Sequence, residues 1–438
     1  MKKARILVLG DLGCSPRMKN HCLSFVKCDW EVYFSGYLSS ELPSNITENK
    51  NIHIDPIQES PPFINQRKEN KFFLILKVLF TSIYLFSFLI HCEWTNILMI
   101  QNPPAVPTFV IVWLISKIRG IKLIIDWHNY GYTLMNTNRG LLSRMYKNIE
   151  LKFSRKRLKA KHLCVSKAFA NDLLLKNDIK AEVLYDLPWA INAEKDMKAI
   201  HELFVKLESD YPILQDKNQF SNKTALTEEL STGAVKYLLD RPALVVSSCS
   251  WTIDDDFETL FKALDQYNES VVNGADLPDI ICVITGKGPM KKYFERIVSE
   301  QEWAHVFVIM PWLEIKDYPT MLSAADIGIC LHNSTSGLDL PMKIVDMFSV
   351  GLPVLALNYK CLHELVLDRV NGRLFASKEA LHQHLCELLL PSTRLIDQAE
   401  SDIDKYRWNI VNNNRYGLWQ HHWEEVVLPI VTDLVAEL

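Results

Sequence analysis

A lysine and an aspartate one helical turn apart, Lys343 and Asp346, lie in the segment S-T-S-G-L-D-L-P-M-K-I-V-D-M-F, which covers residues 334–348. An apolar run over residues 326–331 precedes this segment and predicts a buried strand. Pro341 suits the first position of a following helix. The N–H groups of a helix start, together with a lysine, would bind a phosphate, and the aspartate could hold the hydroxyls of a ribose. A plain strand-to-helix turn with a surface lysine is the alternative.

Three further loops in the second half of the chain follow strand-like runs. Gly286, Lys287 and Gly288 would let a diphosphate approach the backbone. A nucleobase could lie against Trp312. The acids of residues 254–256 are better explained as favouring a helix N-terminus than as metal ligands. Since the carboxyl ends of parallel strands share one edge of a sheet, these loops predict a single nucleotide site.

The first half of the chain carries polar side chains after two strand-like runs. The loop G-D-L-G-C-S-P-R, residues 10–17, lacks the spacing of a dinucleotide fingerprint and the lysine of a P-loop. It predicts either a tight turn or close approach of a substrate, with Arg17 at the site. The segment D-W-H-N-Y-G, residues 126–131, favours acid–base chemistry by Asp126 and His128. A structural histidine is the alternative.

The composition indicates a globular α/β protein with two sizeable domains, because the chain has 438 residues, of which 48% are hydrophobic. The 48 basic and 52 acidic residues give a net charge of −4, which does not indicate nucleic acid as a partner. Ten dispersed cysteines without a C-x-x-C pair predict reduced thiols in a cytosol-facing protein.

Alternating strand and helix patterns divide the chain. Residues 1–190 predict one Rossmann-like domain, and residues 241–414 predict a second. The polar residues 191–240 are interpreted as an interdomain connection with a mobile loop. The amphipathic residues 415–438 predict a helix that packs back over the domain junction.

Three segments bear on membrane contact. Residues 72–90 are almost wholly apolar and approach the length of a membrane span, and residues 106–118 form a second apolar run. Because strands follow both, we expect a helix that covers the sheet and dips into a membrane face; a spanning helix and a wholly buried helix are the alternatives. The basic residues 146–161 could contact anionic headgroups or form a solvated face.

Several longer motifs can be compared with known families. They are G-D-L-G-C-S-P-R-M (10–18), Q-N-P-P (101–104), D-W-H-N-Y-G-Y (126–132), R-P-A (241–243), residues 247–257, V-I-T-G-K-G-P (283–289), P-W-L (311–313), S-G-L-D-L-P-M-K-I-V-D-M-F (336–348) and K-C-L-H-E-L (360–365). In these motifs the chain resembles the chitobiosyldiphosphodolichol β-mannosyltransferase family, nearly from end to end.

The resemblance implies a GT-B fold, with two Rossmann-like domains facing across a cleft. It implies GDP-mannose as donor and diphosphodolichol-linked chitobiose as acceptor, at the cytosolic face of the endoplasmic reticulum membrane. Other mannosyltransferases of the pathway are conceivable partners. No metal or cofactor held by protein ligands is expected, since folds of this kind generally meet the diphosphate with lysines and helix dipoles.

The expected site residues fall into three groups. The donor side is expected to include Gly286, Lys287, Gly288, Trp312, Ser336, Gly337, Asp339, Lys343 and Asp346. The acceptor side is expected to include Gly13, Asn129 and Tyr130. The residues expected to act on the transfer itself are His128, Asp126 and Arg17, with Asp11 and Asp339 as fallback bases.

Two departures from the family pattern matter. Family members begin with an additional hydrophobic anchor that this chain lacks, so membrane attachment would depend on its internal apolar segments or on a partner. Many related enzymes also place an Arg/Lys pair after the first strand of the donor domain, where this chain has S-C-S-W-T followed by acids. The charge of the leaving group would then be met by Lys343, Lys287, helix N-termini and Arg17.

The implied reaction is an inverting displacement at the anomeric carbon, which requires a base near the acceptor hydroxyl. Two other functions remain open from the sequence. A retaining α-mannosyltransferase of the same pathway would share the architecture. A non-catalytic scaffold for the pathway's enzymes would keep the fold without turnover.

Overall fold

The computed structural model describes residues 2–61, 71–133, 140–218, 220, 222–252, 254–334, 336–389, 401–413 and 417–437. The chain forms two compact units. The first unit consists of Met1–Asp186 with Trp419–Leu438, and the second of Leu187–Leu418. Residues 191–240, interpreted above as a connection, lie within the second unit. Gln219 and Ser221 of the expected mobile loop, and Arg415, lie outside the described residues.

A seven-stranded parallel sheet forms the centre of the first unit, in the order β3-β2-β1-β4-β5-β6-β7. Its strands are β1 (Lys3–Asp11), β2 (Glu31–Tyr37), β3 (Ile52–Pro56), β4 (Ile97–Asn102), β5 (Lys122–Trp127), β6 (Ala160–Cys164) and β7 (Glu182–Val183). The central strands are continuous apolar runs because helices cover both faces of a parallel sheet. The apolar runs of the sequence predict all seven strands to within a few residues, at positions 4–10, 31–35, 51–54, 96–100, 122–126, 162–165 and 181–185.

The helices of the first unit are α1 (Pro16–Lys27), α2 (Ser44–Thr47), α3 (Lys71–His91), α4 (Thr108–Arg119), α5 (Leu141–Lys147), α6 (Ser154–Arg157) and α7 (Lys167–Asn177). A π-helical turn, Asn148–Phe153, joins α5 to α6. The basic helix expected over residues 146–161 therefore ends at Arg157, and β6 begins three residues later. The C-terminal helix, Trp419–Ala436, also belongs to this unit.

The C-terminal helix is held by an apolar stripe at helical spacing. The buried members of the stripe are Trp419, Trp423, Val427, Val431 and Leu434. The indole of Trp419 donates to Ser24 Oγ at 2.9 Å, so this helix packs against α1.

The second unit contains a six-stranded parallel sheet, in the order β12-β11-β10-β13-β14-β15, and an antiparallel hairpin, β8–β9. The strands are β8 (Thr227–Glu229), β9 (Val235–Tyr237), β10 (Ala243–Ser248), β11 (Ile280–Thr285), β12 (Val306–Ile309), β13 (Ile327–Cys330), β14 (Val354–Leu357) and β15 (Gly372–Phe375). The helices are α8 (Met197–Glu208), α9 (Phe257–Val272), α10 (Lys291–Ser299), α11 (Asp317–Ala324), α12 (Met342–Ser349), α13 (Lys378–Leu388) and α14 (Asp402–Asn412).

The hairpin and β15 were not predicted from the sequence. Strand β15, G-R-L-F, has no apolar run to signal it, because Arg373 is buried there. Its guanidinium is satisfied by the Tyr406 hydroxyl at 3.1 Å and by Asp402 at 3.0 Å. Pairing with β14 and these polar contacts, rather than local hydrophobicity, define the strand.

The strand order of each sheet predicts where ligands bind. In both parallel sheets the order reverses beside the sheet's first strand along the chain, between β1 and β4 in one and between β10 and β13 in the other. Loops at the carboxyl ends of strands diverge at such a switch point and leave a crevice for a ligand. The loop after β10 holds Asp255, the first turn of the helix that follows β13 holds Lys343, and the loop after β1 holds Gly13.

Candidate active site

In the second unit, Lys343 on the first turn of α12 forms an ion pair with a buried carboxylate. Its Nζ lies 2.5 Å from Oδ1 of Asp255, whose Oδ2 accepts the backbone N–H of Ser250 at 3.2 Å. The next acid, Asp256, is the N-cap of α9 and accepts the N–H of Thr259 at 3.1 Å. The expected helix-capping role is therefore confirmed for Asp256, whereas Asp255 fixes the lysine at the switch point.

One turn further along α12, Asp346 lies against a tyrosine that the sequence analysis missed. The Tyr318 hydroxyl on α11 is 3.1 Å from Ser248 Oγ and 3.3 Å from Oδ2 of Asp346. Burial raises the pKa of Asp346 to about 6, partly opposed by the bond from Tyr318. Lys343 and Asp346 are both half-buried, while Ile344 is part of the core. Helical spacing therefore brings the two predicted residues together at one edge of the sheet.

Asp339 orders the loop that leads into α12. Its carboxylate accepts hydrogen bonds from the hydroxyl of Ser334 and from the hydroxyl of Ser336, the latter at 3.2 Å. The same carboxylate lies 3.1 Å from Nε2 of His332. Burial opposes ionisation, but the bonds to His332 and Ser334 lower the pKa of Asp339. Gly337 adopts a left-handed φ of 67°, which favours glycine. Pro341 is the residue before α12 rather than its first helical residue.

The two predicted diphosphate glycines have a packing role as well. A Cβ on Gly286, whose φ is 150°, would lie 1.9 Å from the carbonyl oxygen of Cys249. A Cβ on Gly288 would lie 1.8 Å from that of Ser250. These glycines let the loops after β10 and β11 touch. Between them, Lys287 places Nζ 3.8 Å from the ring centroid of Trp312, a residue that is 55% exposed.

In the first unit, Asp126 and Arg17 form a buried ion pair. Arg17 donates from Nε to Oδ2 at 2.7 Å and from Nη2 to Oδ1 at 2.9 Å. Its Nη1 donates to Asp186 and to the carbonyl of Leu184, each at 2.9 Å. Burial disfavours the charged carboxylate, but the Arg17 charge holds the pKa of Asp126 well below its usual range. Asp126 is fully buried, so its carboxylate does not face an open surface.

Two histidines meet the same carboxylate. His128 Nε2 lies 2.9 Å and His21 Nε2 3.2 Å from Oδ2 of Asp126. The Trp423 indole donates to His21 Nδ1 at 2.9 Å, so Nε2 of His21 carries the proton that Asp126 accepts. Burial lowers the pKa of His21. His128 remains partly open, with 23% of its side chain exposed. The C-terminal helix thus supports the Asp126 cluster through a histidine that the sequence analysis did not single out.

Glu150, in the π-helical turn, is a further buried acid that sequence reasoning missed. Its carboxylate accepts from Asn102 Nδ2 at 2.8 Å and from the backbone N–H groups of Gly131 and Tyr132 at 2.6 and 3.1 Å. Burial raises the pKa of Glu150, opposed by the bond from Asn102. The residue ties the end of β4 to the loop after His128. Its signal in the sequence is that it is the lone acid in an otherwise basic helix.

The predicted acceptor residues are spread between surface and interior. A Cβ on Gly13 would lie 2.7 Å from Cβ of Ser40, so this glycine permits a close contact between loops. Asp11 accepts the N–H groups of Gly13 and Ser39 at 3.3 and 3.1 Å. Burial opposes its ionisation, but bonds from Ser40 and Cys14 lower the pKa of Asp11 to about 2. This fallback base is therefore occupied in holding its own loop.

The structure does not bring Tyr130 to a surface. The side chain is buried, and its hydroxyl donates to Asp172 at 2.8 Å. Asn129 accepts the Tyr130 N–H at 2.8 Å, and its carbonyl accepts from Asn102 at 3.2 Å. Tyr130 therefore anchors the loop, and Asn129 lies at the turn beside His128.

Among the residues that the structure describes, no group of three or more His, Cys, Asp or Glu side chains is arranged to hold a metal ion. In the same part of the chain, one helix, Phe72–His91, is long and apolar enough to cross a membrane. Only 17% of the most apolar 18-residue stretch of this helix is buried within the protein.

Two Rossmann-like units, each built on a parallel sheet, have the architecture of the GT-B fold of glycosyltransferases. A family model described as "Glycosyl transferases group 1" matches residues 238–401. The fold is also similar to that of Anabaena HepE in complex with UDP, with a TM-score of 0.56, 12% identity, and coverage of 100% of this chain and 99% of that one.

The chain belongs to the chitobiosyldiphosphodolichol β-mannosyltransferase family. It is 37% identical to the human protein of that name, over 98% of this chain and 92% of the human one. It is 34% identical to an Arabidopsis thaliana protein named UDP-glycosyltransferase TURAN, over 100% of this chain and 98% of that one. The family and the GT-B fold expected from the sequence are confirmed. The chain is thus a glycosyltransferase of the dolichol pathway, and enzymes of that pathway are membrane-associated.

Proposed function

We propose that the chain transfers mannose from GDP-mannose to the 4-hydroxyl of the terminal GlcNAc of diphosphodolichol-linked chitobiose, forming a β-1,4 linkage. The observation that carries the proposal is the Lys343–Asp346 turn at the switch point between β10 and β13. That position is where an open α/β sheet binds a nucleotide.

The donor's diphosphate is proposed to bind at the start of α12. The N–H groups of this helix and the ammonium of Lys343 would face its oxygens, as at other anion sites on helix starts. Asp255 holds Lys343 in place at 2.5 Å and leaves other N–H donors of the ammonium for a phosphate. Lys287 would add a second positive charge as GDP departs.

The nucleoside is proposed to extend from the same turn. Asp346 would accept the ribose hydroxyls, with Tyr318 holding its carboxylate at 3.3 Å. The exposed ring of Trp312, at the end of β12, would support the guanine base. Ser336 and Gly337 would line the mannose side, in the loop that Asp339 orders.

The acceptor is proposed to bind in the first unit, beside His128, Asn129 and the Gly13 loop. With Asp126 accepting from Nε2 of His128, the Nδ1 atom is the basic nitrogen that would receive the proton of the acceptor hydroxyl. Because Asp126 and Arg17 are enclosed, we assign them the positioning of His128 rather than direct contact with substrate.

The proposed step is a single displacement. The acceptor oxygen forms a bond to C1 of mannose while the bond from C1 to the diphosphate oxygen breaks, and GDP takes the electron pair. The hydroxyl proton passes to His128, and attack from the opposite face converts an α-linked donor into a β-linked product. Fixed positive charge at Lys343 and Lys287 stabilises the negative charge that develops on GDP.

Helix α3 is proposed to lie in the cytosolic surface of the endoplasmic reticulum membrane. One face of the helix packs on the unit through Thr81, Leu85 and Leu89. A helix that packs along the unit on one face and exposes an apolar face on the other side suits a membrane surface.

Nucleotide titration calorimetry tests the donor site. We expect GDP to bind more tightly than UDP, and Lys343→Met to weaken GDP binding about tenfold or more, since it removes a charged hydrogen bond. The double variant Lys343→Met with Asp255→Asn avoids an unpaired buried carboxylate and should bind GDP equally weakly. Lys198→Met, an exposed change elsewhere in the unit, is the control. Tighter binding of UDP than GDP, or unchanged GDP binding by the double variant, would refute this site.

A further inference from the structure

A strongly basic surface runs along α5, the π-helical turn, α6 and the start of β6. Between residues 144 and 161 every exposed charged side chain is basic. These side chains are Arg144, Lys147, Lys152, Arg155, Lys156, Arg157, Lys159 and Lys161. The one acid of the segment, Glu150, is buried and bonded to backbone N–H groups. We call these eight side chains the basic strip.

Little of this charge is neutralised within the protein. Arg155 pairs with Asp178 at 3.3 Å, and Lys147 lies over the ring of Tyr132 at 4.7 Å. The other six basic residues form no ion pair with the residues that the structure describes, and Lys161 lies within electrostatic range of Glu437, which is itself paired with Lys122. The whole chain has a net charge of −4, so the strip is a local concentration of positive charge and not a reflection of overall composition.

The basic strip borders the apolar surface of α3. Helix α4 lies between them: it packs on α3, and its Trp113 makes an edge-to-face contact with Phe153 of the π-helical turn at 5.6 Å. The crossovers that contain α3, α4 and α5–α6 all run in the same direction across the sheet. Since such connections are right-handed, the three segments lie on one face of it.

On the side of these helices that points away from the sheet, the surface beside the basic strip is apolar. The exposed apolar residues of α3 include Phe72, Ile75, Leu79 and Ile83, which recur at helical spacing. On α4, Ile118 is 59% exposed. An apolar surface bordered by basic residues matches the boundary between acyl chains and anionic headgroups.

We propose that the basic strip binds the anionic headgroups of the membrane while the apolar side of α3 enters the acyl boundary. This inference rests on the proposed function in placing the first unit on a membrane. It adds the lipid class and the side of the unit that faces it. Through Glu150, the same turn holds the backbone of Gly131 and Tyr132, so the strip would place the loop after His128 close to the headgroups, where the diphosphate of a lipid-linked acceptor emerges.

Vesicle flotation with the full chain tests the proposal. The variant Lys152→Gln, Lys156→Gln, Arg157→Gln removes three exposed charges that form no ion pair. We expect its partitioning onto phosphatidylcholine vesicles containing phosphatidylserine to fall on the order of a hundredfold, because each basic residue near such a surface contributes about fivefold. Partitioning onto pure phosphatidylcholine, driven by α3, should be unchanged. The matched control, Lys198→Gln, Lys217→Gln, Lys292→Gln, carries the same charge change on exposed lysines of the second unit and should behave as wild type.

Equal partitioning of the strip variant and wild type onto the anionic vesicles would overturn the proposal. Transfer to a short-chain, water-soluble chitobiose diphospholipid separates this outcome from failure of the proposed function. We expect the strip variant to match wild type there. A raised acceptor KM with unchanged vesicle binding would mean that the strip binds the acceptor's own diphosphate, and would also overturn the proposal. Absence of transfer by the wild type would count against the proposed function and leave the vesicle result standing.

Discussion

Arg17 and Asp126 form a buried, two-bonded ion pair in the first unit, with donor–acceptor distances of 2.7 and 2.9 Å. The same carboxylate holds His128 at 2.9 Å, on the side that reaches the surface. A pair enclosed in this way cannot accept a proton from a substrate, but it can fix an imidazole that does. The arrangement divides three residues that look equivalent in the sequence into one proposed base and two supports.

Removing one member of the pair should unfold the unit more readily. Asp126→Asn keeps the side-chain volume but removes a negative charge that balances the buried guanidinium of Arg17. We expect the free energy of unfolding to fall by about 3 kcal/mol, as is usual when a buried ion pair is broken from one side. Urea denaturation measures the change. Asp178→Asn removes a carboxylate from an exposed pair and should cost less than about 1 kcal/mol; equal effects of the two changes would contradict the buried role.

His128→Ala should lower the free energy of unfolding by about 1–3 kcal/mol, because the buried carboxylate of Asp126 loses a hydrogen bond. It should lower kcat about a hundredfold or more, since a positioned general base commonly contributes that much. The measurement is initial-rate transfer with saturating donor and acceptor. His53, which is exposed and paired with Glu31, offers the control His53→Ala. If both variants keep the wild-type rate, His128 is not the base.

Asp346 should make donor binding sensitive to pH. Its pKa is raised to about 6, so the carboxylate is protonated as the pH falls below that value and loses its capacity to accept two ribose hydroxyls. We expect the KM for the donor to rise between pH 7 and pH 5. In Asp346→Asn the KM should be high and nearly independent of pH over that range. If the donor KM rises equally in the wild type and in Asp346→Asn as the pH falls, Asp346 is not the cause of the pH dependence.

The same shift predicts the sign of a stability effect. Because the pKa is higher in the folded state than in the unfolded chain, ionised Asp346 opposes folding above pH 6, and the penalty disappears as the pH falls below its unfolded value. Asp346→Asn should therefore raise the free energy of unfolding at pH 7 by roughly 1–3 kcal/mol, and the gain should shrink toward pH 4. A destabilised variant at pH 7 would contradict this reading of the site.

Most of the fold follows from local sequence. The sequence predicts strands at residues 243–248 and 280–285, which are the bounds of β10 and β11 in the structure. An uninterrupted apolar run between turn residues has few alternatives in a parallel sheet. Strand β15 was missed because a buried arginine interrupts it, and its partners Glu387 and Asp402 lie far along the chain. No local pattern encodes such a contact.

The candidate site was predictable only in part. Lys343 and Asp346 lie on one face because helical spacing is local. Tyr318 and Asp255, which hold them, come from the connections after two other strands of the sheet. Tyr130 illustrates the opposite failure. A tyrosine in a polar segment suggests substrate contact, yet this one is buried against Asp172.

Glu150 should affect the acceptor more than the donor. In Glu150→Gln the amide can present only one acceptor oxygen to the N–H groups of Gly131 and Tyr132, which are 2.6 and 3.1 Å from the carboxylate. An unsatisfied buried donor costs about 1–3 kcal/mol. We therefore expect kcat divided by the acceptor KM to fall about tenfold with the donor KM unchanged. An equal loss for both substrates would indicate general destabilisation instead.

The linkage and donor of the transfer reaction can be read from its product. Purified protein is incubated with GDP-mannose or UDP-sugars and a chitobiose diphospholipid, and the product is digested with linkage-specific mannosidases. We predict a single added mannose, formed from GDP-mannose alone, that β-mannosidase removes and α-mannosidase does not. A product sensitive to α-mannosidase, transfer only from a UDP-sugar, or no transfer at all would show that the chain is not an inverting GDP-mannose-dependent mannosyltransferase.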